Sequence, residues 1–251
     1  MHILLLAATA MESAALFGEV RDQRAIDVPG ADVLTGSIDD VVVTAVRAGI
    51  GIANTAHALT VAIGEYRPDI VLQFGVGGAY LTSGLGIGDI ALAEEEAYGD
   101  LGVMTPEGWK SSEAIGIPLV SSIRDDEVQQ RCFNTFPLNI ELVQRAKDGL
   151  ATCIWNGNPP GVISGTFVTV QQCSGLAAVG TEVSARFDGI CENMEGAAAA
   201  QLCLIYQIPF LEIRTISNLV EDRNVSEWNL PLAISRLGPS VRAIIQSIGR
   251  E

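Results

Sequence analysis

Three polar side chains stand at the expected ends of apolar elements, where a carboxylate or an amide can do chemistry. Glu195 opens an alanine-rich run, residues 195–206, that is apolar all round. Such a run predicts a buried helix. A carboxylate at its start either complements the helix dipole or accepts hydrogen bonds from a polar ligand. Two hydroxyls on vicinal carbons, as in a ribose, suit it well. Ile208-Pro209 ends the helix, and the alternating run FLEIRTI, residues 210–216, predicts a strand. Asn218 then falls at a strand's C-terminal end, where open α/β sheets bind ligands. Read by itself, it is a turn former. Glu12 sits in the first turn of a helix starting at Ala10, directly after an apolar first strand, residues 3–8. An acid there can be a plain helix-start residue.

The elements that must position these groups follow in order. Residues 39–47 read as a strand leading to Gly49-Ile50-Gly51. A helix over 52–65 follows, with Asn54 or Thr55 as its cap. Residues 69–74 form a nearly all-apolar central strand that runs into Gly75-Val76-Gly77-Gly78-Ala79. Glycines there let a backbone approach a ligand and expose N–H groups. A dinucleotide loop is the competing reading. It is disfavoured because the run lies about 70 residues in and no acid ends a following strand at the expected spacing. Residues 88–94 read as a strand, with Glu94-Glu95-Glu96 at its solvated end. Residues 99–118 are irregular around Trp109, as a surface loop or a contact between subunits. Further elements are a helix from Leu138 to Gly149, a turn-rich stretch at 153–160, a strand at 161–170 and a helix at 176–187. An amphipathic helix over 230–248 closes the chain, and Gly238-Pro239 should kink or break it.

Composition narrows the function class. A length of 251 residues with 48% hydrophobic content suits one α/β domain spanning 1–251. The net charge of −15 argues against a nucleic-acid partner. No apolar run reaches the ~18–20 residues of a membrane span. The first strand lacks the basic flank of a signal peptide, so a cytoplasmic location is expected. Five widely spaced cysteines without a C-x-x-C pair suggest reduced thiols. With His2 and His57 the only histidines, neither a metal site nor a histidine triad is expected. His57, mid-helix among small neighbours, reads as a packing residue.

Two motifs carry a resemblance. Met194-Glu195-Gly196-Ala197-Ala198-Ala199 resembles the methionine-glutamate helix start of the purine nucleoside phosphorylase and methylthioadenosine/S-adenosylhomocysteine nucleosidase superfamily. Arg214-Thr215-Ile216-Ser217-Asn218 resembles its base-recognition strand. The longer stretch EIRTISNLVEDRN, residues 212–224, with Trp228 beyond it, most resembles the futalosine hydrolases of a menaquinone pathway.

The resemblance implies a three-layer α/β/α sandwich with a central mixed β-sheet. It also implies a small-molecule nucleoside substrate, no cofactor, no metal, no membrane, and a homo-oligomer, dimeric or higher. It puts Glu12 on the water-activating glutamate, Met194 and Glu195 at the ribose, and the Val76-Gly77 loop beneath it. Ser164-Gly165 match the family, which makes Phe167 the candidate to stack on the purine; a core phenylalanine is the competing reading. Asn218 stands where adenine-specific nucleosidases carry aspartate. An amide pairs with O6 and N7–H of a 6-oxopurine but cannot act as a general acid. Phosphorylases hold phosphate with an arginine and a serine where this chain has Gln73 and Val76, unless Arg47 supplies the cation from elsewhere. Arg223 is the candidate for a carboxylate on the 5′ substituent, with Trp228 stacking; it can equally pair with Glu221 or Asp222. The alternatives are a methylthioadenosine nucleosidase, an inosine phosphorylase and a non-catalytic nucleoside binder.

Overall fold

The computed structural model describes residues 1–124, 127–155 and 157–249. The chain starts with β1 (His2–Ala7) and α1 (Ala10–Gly18). It continues through β2 (Arg21–Val28), β3 (Ala31–Ile38) and β4 (Val41–Arg47) to α2 (Ile52–Tyr66). Next come β5 (Ile70–Tyr80), β6 (Ile90–Tyr98), a hairpin of β7 (Gly102–Thr105) and β8 (Gly108–Ser111), and the pair β9 (Val120–Arg124) and β10 (Glu127–Cys132). β11 (Thr135–Pro137) leads to α3 (Ile140–Ala151). The last third holds β12 (Val162–Thr169), α4 (Ala177–Phe187), β13 (Gly189–Asn193), α5 (Gly196–Tyr206), β14 (Phe210–Val220) and α6 (Leu230–Ile248).

Ten strands form one mixed sheet, and helices cover both faces, as expected. The unbroken apolar run of β1 explains the layering. Ile3, Leu5 and Ala7 enter a core shared with α1, α3 and α6. Leu4 and Leu6 enter a second core shared with α2 and α5. A strand buried on both faces needs apolar side chains at every position. The sheet is not simply open, however. β5 pairs with β13 and β14, β14 also pairs with β6, and β12 joins β6 to β13. These five strands close into a ring with the glycine stretch of β5 in its wall.

Several sequence expectations need correction. β5 runs through Gly75–Ala79 rather than ending before it, because β14 bonds it along its length. β14 likewise runs past Asn218, with its register shifting between Ile216 and Asn218. Glu96 is fully buried inside β6, not at a solvated end. Neither Asn54 nor Thr55 caps α2; Gly51 is the cap residue, and Asn54 donates to Ile50 O instead. His57 is exposed, with its ring against the Pro29 carbonyl. Trp109 packs edge-on to Phe187 under the Arg186 guanidinium. α6 continues through Pro239, because Leu237, Val241, Ile244, Ile245 and Ile248 are wholly buried, and packing outweighs one lost backbone bond.

Gly196, the first residue of α5, faces two carboxyl groups. A Cβ there would collide with Glu96 Oε1 and Glu212 Oε2. Both groups are buried and cannot swing away. Gly196→Ala is expected to destabilise the fold by about 1–3 kcal/mol, the range for overpacking, despite alanine's better helix propensity. Thermal unfolding checks this; an unchanged or raised melting temperature would refute it.

Candidate active site

A cavity of about 350 Å³ opens at the ring's edge, and most of the sequence-named residues meet there. Glu12, Val76, Gly77, Met194, Glu195, Asn218, Arg223 and Trp228 all line it. α1 delivers Glu12. Its Oε2 accepts from Thr9 N at 2.9 Å and Thr9 Oγ1 at 2.7 Å, while Thr9 Oγ1 caps Glu12 N at 3.3 Å. This is a reciprocal capping box. Glu12 Oε1 accepts from Val76 N at 2.9 Å. Helix capping and cavity lining are therefore both true of this side chain. Gly75 makes the approach possible, since a Cβ there would lie 2.6 Å from Glu12 Oε1 and 2.7 Å from Arg214 Nη1.

Glu195 is the N-cap residue of α5, but its carboxylate does not cap the helix. Asn193 Oδ1 accepts from Glu195 N and Gly196 N at 2.9 and 2.7 Å, and Thr169 Oγ1 accepts from Ala197 N at 2.8 Å. With the helix start satisfied, Glu195 turns to Gly51 N at 3.0 Å and Arg214 Nη2 at 3.2 Å. The helix-dipole account of Glu195 is thus displaced by a specific one.

Arg214 is the hub. It is 2% exposed. Besides Glu195, it donates from Nε to Glu212 Oε1 at 2.8 Å and from Nη1 to Val76 O at 3.2 Å. Burial alone would ease its deprotonation, but Glu212, Glu195 and Glu12 outweigh that and hold the proton more firmly than usual. Glu96 lies behind Glu212, bonded by Asn193 Nδ2 at 2.6 Å and Thr169 Oγ1 at 2.8 Å. Burial first, and then the Glu212 charge, push its carboxyl well above the usual range. Two facing carboxyls cannot both ionise here. Of the pair, Glu96 is the carboxyl pushed toward its protonated form.

Other expectations fare differently. Phe167 does not reach the cavity; it is fully buried in the core beneath α5. The register row Val168–Glu192–Gly78–Asn218 runs along the neighbouring positions of the ring. Phe167 lies one residue away, and a one-residue offset reverses the face. Gln73 is buried and outside the cavity; Arg47, half-buried, is also outside it and bonds Asp32 at 2.7 Å and Ser13 at 3.0 Å. No ion pair joins Arg223 to Glu221 or Asp222 among the described residues. Its guanidinium lies 4.7 Å from the Trp228 ring centre. Cys173 is exposed and lines the cavity, with Sγ 3.4 Å from Met194 Sδ. Sequence reasoning gave no role to Asn193, Thr169 or Glu212 and placed Glu96 at a solvated strand end. One signal was present: Glu212 and Arg214 alternate inside an otherwise apolar strand, which places opposite charges on one buried face.

Residues 2–246 match the family model of the phosphorylase superfamily. A methylthioadenosine/S-adenosylhomocysteine nucleosidase of Geobacillus thermodenitrificans is 28% identical over 238 residues, covering 90% of this chain and 88% of that protein. A futalosine hydrolase of Thermus thermophilus is 31% identical over 204 residues, covering 80% of each. Among solved structures, the methylthioadenosine/S-adenosylhomocysteine nucleosidase of Neisseria meningitidis, in complex with methylthio-immucillin-A, superposes with a TM-score of 0.82. It covers 98% of this chain and 99% of its own at 23% identity, and so shows the shared fold.

The Glu96 proton has a thermodynamic consequence. Its folded pKa is raised, so its contribution to stability is complete below the unfolded value near 4.5 and is lost as pH rises through the folded value. Glu96→Gln cannot ionise and escapes that loss. Urea unfolding at pH 5, 7 and 9 should show the variant gaining on the wild type as pH rises. A pH-independent difference between them would refute the protonated Glu96.

Proposed function

We propose that this N-glycosyl hydrolase, which belongs to the phosphorylase superfamily, cleaves futalosine to hypoxanthine and dehypoxanthine futalosine. Water is the nucleophile. The observation that carries this reading is the charge of the cavity wall. Glu12 and Glu195 face it, and the arginine beside them, Arg214, already bonds Glu195 and Glu212. A phosphate dianion needs charge-assisted donors; beside Glu12 and Glu195 it would meet carboxylates, and the cavity's other arginine, Arg223, is stacked on Trp228. Gln73, at the place of the phosphorylase arginine, and Arg47 both stand outside the cavity, and Val76, at the place of the serine, lines it without a side-chain donor.

Cleavage of a nucleoside passes through an oxocarbenium-like sugar. Glu12 orients the water and takes its proton. Its three bonds, to Thr9 N, Thr9 Oγ1 and Val76 N, hold it still and leave one of a carboxylate's roughly four acceptor sites for the water. Positioned proton transfer of this kind contributes about 10²–10⁴-fold. Glu195, fixed by Gly51 N and Arg214, accepts the ribose hydroxyls, with Met194 packed beside the sugar. Asn218 serves the leaving group. Its amide pairs with O6 and with N7 as that atom gains a proton, which favours hypoxanthine over adenine. In the free protein Asn218 Oδ1 accepts from Ser217 Oγ at 2.8 Å and Nδ2 donates to Leu219 O at 3.0 Å, which leaves one lone pair and one N–H for the base. Arg223, stacked on Trp228 at the cavity wall, meets the carboxylate of the 5′ benzoate.

Base release from futalosine, inosine and methylthioadenosine, each with and without phosphate, tests the reading. Phosphate-independent release of hypoxanthine from futalosine is expected. Adenine from methylthioadenosine would overturn the part given to Asn218, and a phosphate requirement would overturn the choice of water. Arg223→Ala should raise KM for futalosine about 10–100-fold, the range for a hydrogen bond to a charged group, and leave inosine unaffected. Equal effects on both substrates would remove Arg223 from the 5′ site.

A further inference from the structure

Glu192 is a carboxylate with no part in the chemistry above. It is 7% exposed, and it lines the cavity. Its neighbours define where it stands. In the register of the ring, Glu192 pairs with Gly78 on one side, and Asn218 pairs with the same glycine on the other. Partners across adjacent strands project on one face. Strands lie about 4.8 Å apart, so two intervals separate Glu192 from Asn218, with only hydrogen on Gly78 between them. A flat ring lying over Gly78 would have the amide at one end of its polar edge and the carboxylate at the other. A Cβ on Gly78 would sit 3.2 Å from Asn218 Nδ2 and 2.9 Å from Val220 Cγ2, so the gap depends on the glycine.

The carboxylate is held in place. Oε1 accepts from Ser174 N at 2.9 Å, and Oε2 accepts from Ser174 Oγ at 2.6 Å and from Tyr80 OH at 3.2 Å. These three bonds leave one of about four acceptor sites open. Every donor arrives from the protein, so what the cavity lacks on this side is a donor from the ligand. A 6-oxopurine offers one at N1–H, next to the O6 that Asn218 reads. Adenine presents a lone pair at N1, which would face the carboxylate with no hydrogen between.

We propose that Glu192 accepts the N1–H of the purine and that Glu192 and Asn218, facing each other across Gly78, together select a 6-oxopurine. The inference deepens the proposed function and rests on its assignment of the base to this end of the cavity. Asn218 alone discriminates weakly, because an amide can rotate to exchange its donor and acceptor. A carboxylate cannot, since it only accepts. Glu192 thus supplies the part of the selection that works by rejection.

The test uses the full chain and three free bases, hypoxanthine, 1-methylhypoxanthine and adenine, titrated calorimetrically, beside turnover of futalosine, inosine and adenosine. Wild type should bind hypoxanthine ~10–100-fold more tightly than 1-methylhypoxanthine, which lacks the donor. Glu192→Gln can still accept from Ser174 through its carbonyl and offers adenine an N–H. It should narrow the preference for hypoxanthine over adenine by a similar factor. A role confined to anchoring Ser174 would weaken all three bases alike, and that result overturns the proposal, as would equal binding of hypoxanthine and its methyl derivative by wild type. If Glu192→Gln does not fold, the wild-type comparison of those two bases still decides. Preferential, Glu192-dependent binding of hypoxanthine without turnover of any nucleoside would uphold the subsite and overturn the hydrolase reading. Turnover of futalosine without that preference would do the reverse. Binding of none of the bases would overturn the proposal.

Discussion

One buried cation organises this molecule. Arg214 sits at the edge of the closed ring with Glu212, Glu195 and Glu12 around it. Removing a charge from water is expensive, and a buried ion persists only when its partners and hydrogen bonds are in place. Deleting one partner of such a group typically costs about 3–5 kcal/mol. That cost links parts of the chain far apart in sequence. β14 brings the arginine, α5 brings Glu195, β5 brings the Val76 carbonyl, and α1 brings Glu12. Each element must reach its place for the cation to be tolerated. The arrangement that stabilises the core is therefore the same one that orients the cavity's carboxylates.

Behind the cation lies a second arrangement with the opposite logic. Glu96 and Glu212 face each other in full burial, where two negative charges would not survive. Burial and the Glu212 charge push the Glu96 carboxyl toward its neutral form, which relieves the repulsion. Asn193 and Thr169 close the arrangement, since each bonds Glu96 while satisfying the exposed N–H groups of α5. The helix start thus needs no help from Glu195, whose carboxylate is left to the cavity.

Much of this was legible in the residues. Unbroken apolar runs located the first strand and the alanine-rich helix, and period-two alternation located the strand after it. The Met194-Glu195 and Arg214–Asn218 motifs pointed to the cavity. The errors share a cause. Glu96, in the run Glu94-Glu95-Glu96, looks solvated because three adjacent acids are usually exposed; only β12 and α5 packing over it make it a core residue. Phe167 was assigned to the cavity by counting from Ser164-Gly165, and sequence alone cannot set a strand's register to one residue. The closure of the ring was invisible for the same reason. It depends on β6 meeting β14, which are separated by more than a hundred residues and carry no local sign of each other.

Glu12 carries a consequence of another kind. Its carboxylate forms half of the capping box that starts α1 and also pins the Val76 amide beneath the cavity. Under the proposed reaction, one side chain is thus answerable to two selective pressures, folding and chemistry. Mutational drift at this position is constrained from both sides at once. A lineage that abandoned turnover would still be held by the helix to a glutamate or glutamine here, so finding glutamate at this place in a distant relative says little by itself about whether that relative still turns over a substrate.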